Sequence, residues 1–289
     1  YDRREGMAGK PVRGAIWTLD LSAQGNVPQD ATAALLPGGF LPHGISLYIN
    51  PADGKRSLFV VNHAGGENSI EILDVNAGSL VHRRTVKGTG LVSPNDVVGV
   101  GPDTLYVTND HGNASGWMRN VEDYARLRQS TVQLFDGALF HEALSGIGGS
   151  NGINVSADGR SLYLSAASER TVYVYDRNPD TNALERRAAV PVPGFADNLD
   201  VMANGDLLLA LHTKIFDFLA HVGDGTKLSP SHVMHLKADG KGSFVPATIY
   251  YNDGSEISAA SVGASFENRV LIGPIFEHKI LDCQWSAPH

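Results

Sequence analysis

Pro94-Asn95-Asp96-Val97-Val98-Gly99-Val100-Gly101-Pro102-Asp103-Thr104-Leu105-Tyr106-Val107 runs, in order, through a polar pair, an apolar strand, a turn and a second apolar strand. The same order returns along the chain. Ile45 to Ile49, Asp53-Gly54 and Leu58 to Val61 form one copy, and Ile153 to Val155, Asp158-Gly159 and Leu162 to Leu164 another. Leu199 to Met202, Asn204-Gly205 and Leu207 to Leu209 form a further copy, and Ala260 to Ala264, Glu267-Asn268 and Val270 to Ile272 a looser one. More strand pairs, such as Ser69 to Val75, Thr171 to Tyr175 and Val233 to Leu236, lie between the hairpins. Short strands separated by Gly, Asp and Asn turns read as an all-β chain. Each repeat spans roughly 45 to 60 residues, the size of a four-stranded propeller blade. Five copies are visible, and Ala15 to Leu21 supplies strands for one more partial blade. The expectation is an all-β, six-bladed β-propeller over residues 1–289, one domain, whose first blade is completed by a segment outside this sequence.

Composition agrees. With 289 residues, 42% hydrophobic and 19% charged, the chain can bury a large core, and no Pro/Ser-rich or charged linker divides it. The formal net charge of −8 and the absence of a Lys/Arg run argue against nucleic acid as a partner. No apolar run approaches the roughly 20 residues of a membrane span. The sequence opens at Tyr1 without Met, so an upstream segment is expected. Cys283 is the only cysteine, either a buried thiol or one half of a disulfide to a partner outside the chain. Residues Gly116 to Gln129 break the β pattern, with Met118, Val121, Tyr124 and Leu127 at intervals of three, and are predicted to be a short amphipathic helix over a propeller face.

The polar clusters carry the chemistry. His43, Asn95, Asn151 and Asn198 each precede the first strand of a hairpin, which in a propeller is the strand lining the central channel. One such Asn or Asp alone reads as a turn residue satisfying its own backbone. Several in register around one axis instead gather oxygens at its centre. Carboxamide and carboxylate oxygens without clustered Cys or His suit a hard cation, calcium before zinc. Histidines form a second set: His43, His63, His111 and His212. An imidazole pair beside a cation-polarised carbonyl can act as general base and orienting partner. No G-x-S-x-G elbow, P-loop or dinucleotide fingerprint competes. Asn113-Ala114-Ser115 and Asn154-Val155-Ser156 fit the glycosylation pattern, the second inside a predicted strand.

At these residues the chain resembles the paraoxonase/arylesterase family, calcium-dependent lactonases and esterases built as six-bladed propellers. The matching stretches are Leu41-Pro42-His43-Gly44-Ile45-Ser46, Leu58-Phe59-Val60-Val61-Asn62-His63, Pro94-Asn95-Asp96-Val97, Thr108-Asn109-Asp110-His111, Asn151-Gly152-Ile153-Asn154, Asp197-Asn198 and Val270-Leu271-Ile272-Gly273, in family order. The resemblance implies two calcium ions. Asn95, Asn151, Asp197 and Asn198 would bind a catalytic one, and Asp96 with the backbone carbonyl of Ile45 a structural one. It further implies that His43 and His63 activate water, that His111 and His212 support the site, and that the protein is secreted or extracytoplasmic. The family's acidic pair, and the cysteine that pairs with the family's C-terminal cysteine, which Cys283 matches, would both lie upstream of Tyr1, so a disulfide from Cys283 would reach a missing N-terminal segment or chain. The predicted helix is more charged than its lipoprotein-docking counterpart, so that docking is not implied. The expected function is hydrolysis of lactones or aryl esters. Two other classes stay open: a strictosidine-synthase-like propeller with non-hydrolytic chemistry, expected to lack the full ligand set, and a non-catalytic binding scaffold, expected to hold no tight calcium.

Overall fold

The structure, a computed structural model, describes residues 12–22, 27–32, 39–76, 79–113 and 127–285. After a two-stranded ribbon, β1 (Trp17–Thr18) and β2 (Gln29–Asp30), the chain forms five antiparallel sheets. The first joins β3 (Pro42–Ile49), β4 (Arg56–Asn62), β5 (Ser69–Asn76) and β6 (Ser79–Val86). The second joins β7 (Pro94–Gly99), β8 (Leu105–Asn109), β9 (Ser130–Phe135) and β10 (Phe140–Ile147), and the third β11 (Ser150–Val155), β12 (Ser161–Ala166), β13 (Thr171–Arg177) and β14 (Leu184–Pro191). The fourth joins β15 (Phe195–Val201), β16 (Leu207–His212), β17 (Ser231–Ala238) and β18 (Phe244–Asn252), with helix α1 (Ile215–Gly223) between β16 and β17. The fifth has three strands, β19 (Ala260–Phe266), β20 (Arg269–Pro274) and β21 (Leu281–Gln284).

Strand alternation explains why these sheets stack as blades. Successive side chains of a strand point to opposite faces. Val97, Leu105 and Val107 therefore pack on Phe59, Val61, Ile70 and Ile72 of the first blade, while Val98 and Tyr106 pack on Ile153, Leu162 and Leu164 of the third. The fourth blade repeats this arrangement, Leu207 and Leu209 joining Val172 and Val174 while Leu208 joins Val270 and Ile272 of the fifth. A strand covered on both faces is mostly apolar, and β8 and β16 are buried along their whole length, their buried polar residues Thr108, Asn109 and His212 hydrogen-bonded at the channel end. The first strands, β3, β7, β11, β15 and β19, contact one another in that order and line the inside.

The all-β propeller is as expected, and the described residues form five blades and the ribbon. In the apolar run from Ala15 to Leu21, Trp17 and Thr18 face Asp30 and Gln29, and the Ile16 carbonyl accepts from the Ala31 amide at 2.9 Å. The ribbon bridges the first and last blades. Ile16 packs with Phe40, Leu58 and Val60 beside the first, and Arg269 of β20 donates from Nη1 to the Leu21 carbonyl at 3.0 Å.

The helix expected over 116–129 lies outside the described residues for 116–126, and 127–129 form no regular element. Helix α1 was not expected. No helix among the described residues is long and apolar enough to cross a membrane. Cys283 is free and half-buried, and as the only cysteine it has no partner for a disulfide within this sequence.

Candidate metal centre and histidine pair

All five inner strands break register near their beginning: between Pro42 and Ile45, Pro94 and Val97, Ser150 and Ile153, Ala196 and Leu199, and Ala260 and Val262. The residues skipped are His43-Gly44, Asn95-Asp96, Asn151-Gly152, Asp197-Asn198 and Ser261. A bulge leaves residues out of the ladder and re-aims their side chains. The polar clusters thus sit within the strands, in the bulges, and not just ahead of them as the sequence pattern suggested. His43, Ile45, Asn95, Asp96, Asn151, Asp197, Asn198 and His212 line one cavity of about 1120 Å³.

Two glycines set how closely the bulges approach. A Cβ on Gly44 would fall 2.4 Å from Cα of Asp96, and one on Gly152 would fall 2.7 Å from Cα of Asn198. No side chain fits in either gap, so backbone meets backbone.

The amides are oriented by the protein. Asn198 donates from Nδ2 to the Ser261 carbonyl at 3.0 Å, and Asn95 makes a long 3.5 Å contact from Nδ2 to Asp110 Oδ2. With their nitrogens engaged, the carbonyl oxygens are what these two amides can offer a cation. Asn151 Oδ1 is buried and has no hydrogen-bond partner. A buried carbonyl without a donor costs about 1–3 kcal/mol, and a cation would remove that cost. Among the described residues no three His, Cys, Asp or Glu side chains converge on a point, so the donor set depends on carboxamides. Three carboxamides and two carboxylates are hard oxygen donors of the kind calcium accepts.

The two carboxylates differ. Asp96 accepts from the Val97 and Ile153 amides, each at 2.9 Å, and so ties the second blade to the third. Burial, reinforced by the negative charge of Asp197, pushes its carboxyl up to about 7 despite those two donors. A nearby divalent cation favours the ionised form. Asp197 Oδ2 faces His212 Nε2 at 3.0 Å, and the His212 ring stacks on Phe218 of α1 with centroids 4.0 Å apart. Ile215, Phe218 and Val222 present the apolar face of α1 to the cavity. His111 lines a separate cavity of about 330 Å³ and faces, at 2.8 Å, Oδ1 of Asp110, which lines the main one.

His43 and His63 meet. His43 Nδ1 is 3.1 Å from His63 Nε2, and His63 Nδ1 is 2.8 Å from Asn68 Oδ1. His43 lines the cavity and His63 stands behind it. Beneath them, Asn62 Oδ1 accepts from the Leu41 and Ala64 amides at 2.9 and 3.1 Å, and Asn62 Nδ2 donates to the buried Glu71 at 3.0 Å. Sequence reasoning missed Asn68, Glu71, Phe218 and Ser261. The first three lie outside the repeating polar position, and Ser261 occupies it in the fifth blade but contributes only its carbonyl.

A whole-chain match now joins this geometry: residues 12–285 fit the model of the Arylesterase family. The chain belongs to the arylesterase family. Among its arylesterase relatives, serum paraoxonase/arylesterase 2 of Gallus gallus is 32% identical over 253 residues, covering 86% of this chain and 69% of that protein. Serum paraoxonase/lactonase 3 of Homo sapiens is 30% identical over 279 residues, covering 94% and 77%. A crystal structure of a protein from Lactobacillus plantarum, 13% identical, superposes with a TM-score of 0.50 over 89% of this chain and 83% of that one, a likeness of fold alone.

Proposed function

We propose that the chain is a calcium-dependent hydrolase of lactones and aryl esters, built as one propeller. The observation that carries this reading is the partnerless, buried Asn151 Oδ1 in a cavity shared with Asn95, Asp197, Asn198 and His43. The relatives' names, which include arylesterase and lactonase, support the reaction class. Asn95, Asn151, Asp197 and Asn198 would hold the catalytic ion, and Asp96 with the Ile45 carbonyl a structural one. Calcium bound there supplies a Lewis acid that polarises the ester carbonyl and stabilises the charge developing on its oxygen. His43, lining the cavity, takes a proton from the attacking water, and His63 holds the His43 ring in place through their 3.1 Å contact. His212 and Phe218 fix the orientation of Asp197. Ile215, Phe218 and Val222 give the acyl or lactone chain an apolar wall that excludes water. The ribbon, set between the first and fifth blades, is read as part of a sixth blade.

Metal analysis and turnover in chelator test the proposal. Purified protein should retain calcium, and hydrolysis of aryl acetates and of five- and six-membered lactones should stop in excess chelator and return when calcium is restored. Full turnover in chelator overturns the calcium dependence, and no turnover of either substrate class with calcium present overturns the reaction.

A further inference from the structure

We infer that Asn68 is a positioning residue that sets the direction of the hydrogen-bond chain through His63 to His43, so that His43 presents a lone pair to the cavity. The inference rests on the hydrolase reading above for its functional meaning, though not for its structural content. Asn68 stands between the 3₁₀ turn Ala64–Gly66 and β5, and its Nδ2 donates to the carbonyls of Leu91 and Val92 at 3.1 and 3.3 Å. Those carbonyls belong to the connection between β6 and β7, on the way to Asn95. They can only accept. Flipping the amide would set its oxygen against two carbonyl oxygens, so its orientation follows from the inventory of donors and acceptors.

The rest of the chain follows step by step. Asn68 Oδ1 faces His63 Nδ1 at 2.8 Å, so that nitrogen carries hydrogen. A neutral imidazole has one N–H, and His63 Nε2 then holds the lone pair. It accepts from His43 Nδ1 at 3.1 Å, which makes that nitrogen the N–H of His43. His43 Nε2 is therefore the basic atom. When it takes a proton from water it becomes imidazolium, and its Nδ1–H stays donated to His63. With the chain reversed, His63 would donate from Nε2 to His43 Nδ1, and His43 Nε2 would carry hydrogen and could not act as a base. The pair is symmetric in composition. Asn68 supplies its asymmetry.

The test reads tautomers first and turnover second. Long-range ¹H–¹⁵N spectra of ¹⁵N-histidine-labelled protein at pH 8, with signals assigned through His43→Gln and His63→Gln, should show Nδ1–H on both rings. Nε2–H on His63 in the native protein overturns the inference without any variant at Asn68. In Asn68→Leu, which has neither donor nor acceptor, both rings should shift toward Nε2–H. Its kcat on an aryl acetate should fall at least about tenfold with KM changed by less than about twofold, as expected when a general base is disabled and binding is not. Asn68→Asp keeps an acceptor for His63 while losing both donors to the connection. It should keep the native tautomers and most of kcat even where its melting temperature drops. Loss of kcat in Asn68→Leu with native tautomers assigns Asn68 to packing alone and overturns the inference. A native protein with the expected tautomers but no hydrolysis defeats the hydrolase reading and leaves the Asn68 assignment intact.

Discussion

Gly152 and Asn198 lie so close that a methyl group on the first would stand 2.7 Å from the Cα of the second. That Cβ would also fall 2.7 Å from the Asp197 carbonyl and 3.0 Å from the Leu199 amide nitrogen. These are backbone atoms of β15, which cannot turn aside as a flexible side chain can. Gly152→Ala therefore pushes β11 from β15 at the level of the proposed ligands. Overpacking of this kind costs about 1–3 kcal/mol. The variant should show a lowered melting temperature and, because Asn151, Asp197 and Asn198 move apart, weaker calcium binding by titration calorimetry. Unchanged calcium affinity would mean that the bulge spacing does not govern the ion.

His43 is the only histidine of the pair to line the cavity, so removal of its basic nitrogen acts on the chemistry and not on the fold. His43→Gln should reduce lactone and aryl-ester hydrolysis by about 100-fold or more. Calcium affinity and melting temperature should stay near native, since His43 is not among the proposed ligands. An unchanged rate in this variant would leave the cation alone as the catalyst.

The fold was legible because propeller chemistry is periodic. Val97 against Val98, and Leu207 against Leu208, divide between two neighbouring blades, and that demand produces the apolar runs visible in the sequence. The clusters Asn95-Asp96, Asn151-Gly152 and Asp197-Asn198 were legible for the same reason, since every copy falls in the same bulge. The bulge was not legible: whether a polar pair precedes a strand or interrupts its ladder depends on register with the next strand. Asn68, Phe218 and Glu71 were hidden because each acts across an element boundary on a residue in the repeat, and no spacing marks such contacts. The run Ala15 to Leu21 was legible as a strand, but its partner was not: Gln29 and Asp30 lie in a stretch with no apolar alternation.

Glu71 anchors the floor beneath the histidine pair. Its buried carboxylate accepts from Asn62, Ser69, Thr85 and His82, at 3.0, 2.7, 2.6 and 3.0 Å. Burial alone would raise its pKa, but the four hydrogen bonds together outweigh that and hold it below the ordinary glutamate value of 4.5. A carboxyl depressed by folding contributes stability above its unfolded pKa and loses it as pH falls through the folded one. Glu71→Gln should destabilise the protein by about 1–3 kcal/mol at neutral pH, as expected when a buried network loses a charge-assisted partner. The gap in melting temperature between the native protein and the variant should be constant above about pH 5.5 and close as pH drops below 4.5. A gap independent of pH across that range would show that shape, not charge, holds the network.

Asn151 gives the calcium reading its sharpest test, because its Oδ1 is a liability without a cation and an asset with one. Buried and partnerless, that carbonyl destabilises the metal-free protein, and an apolar side chain of the same size would relieve the cost. A ligand that binds only the native state raises stability in proportion to the logarithm of its concentration over Kd, so loss of one donor shrinks that gain. Asn151→Leu should therefore melt at or above the native temperature in chelator and below it in calcium. A turn residue behaves otherwise: its replacement lowers the melting temperature equally in both conditions. Melting curves of the two proteins, with and without calcium, separate the outcomes, and a calcium response identical in both would remove Asn151 from the ligand set.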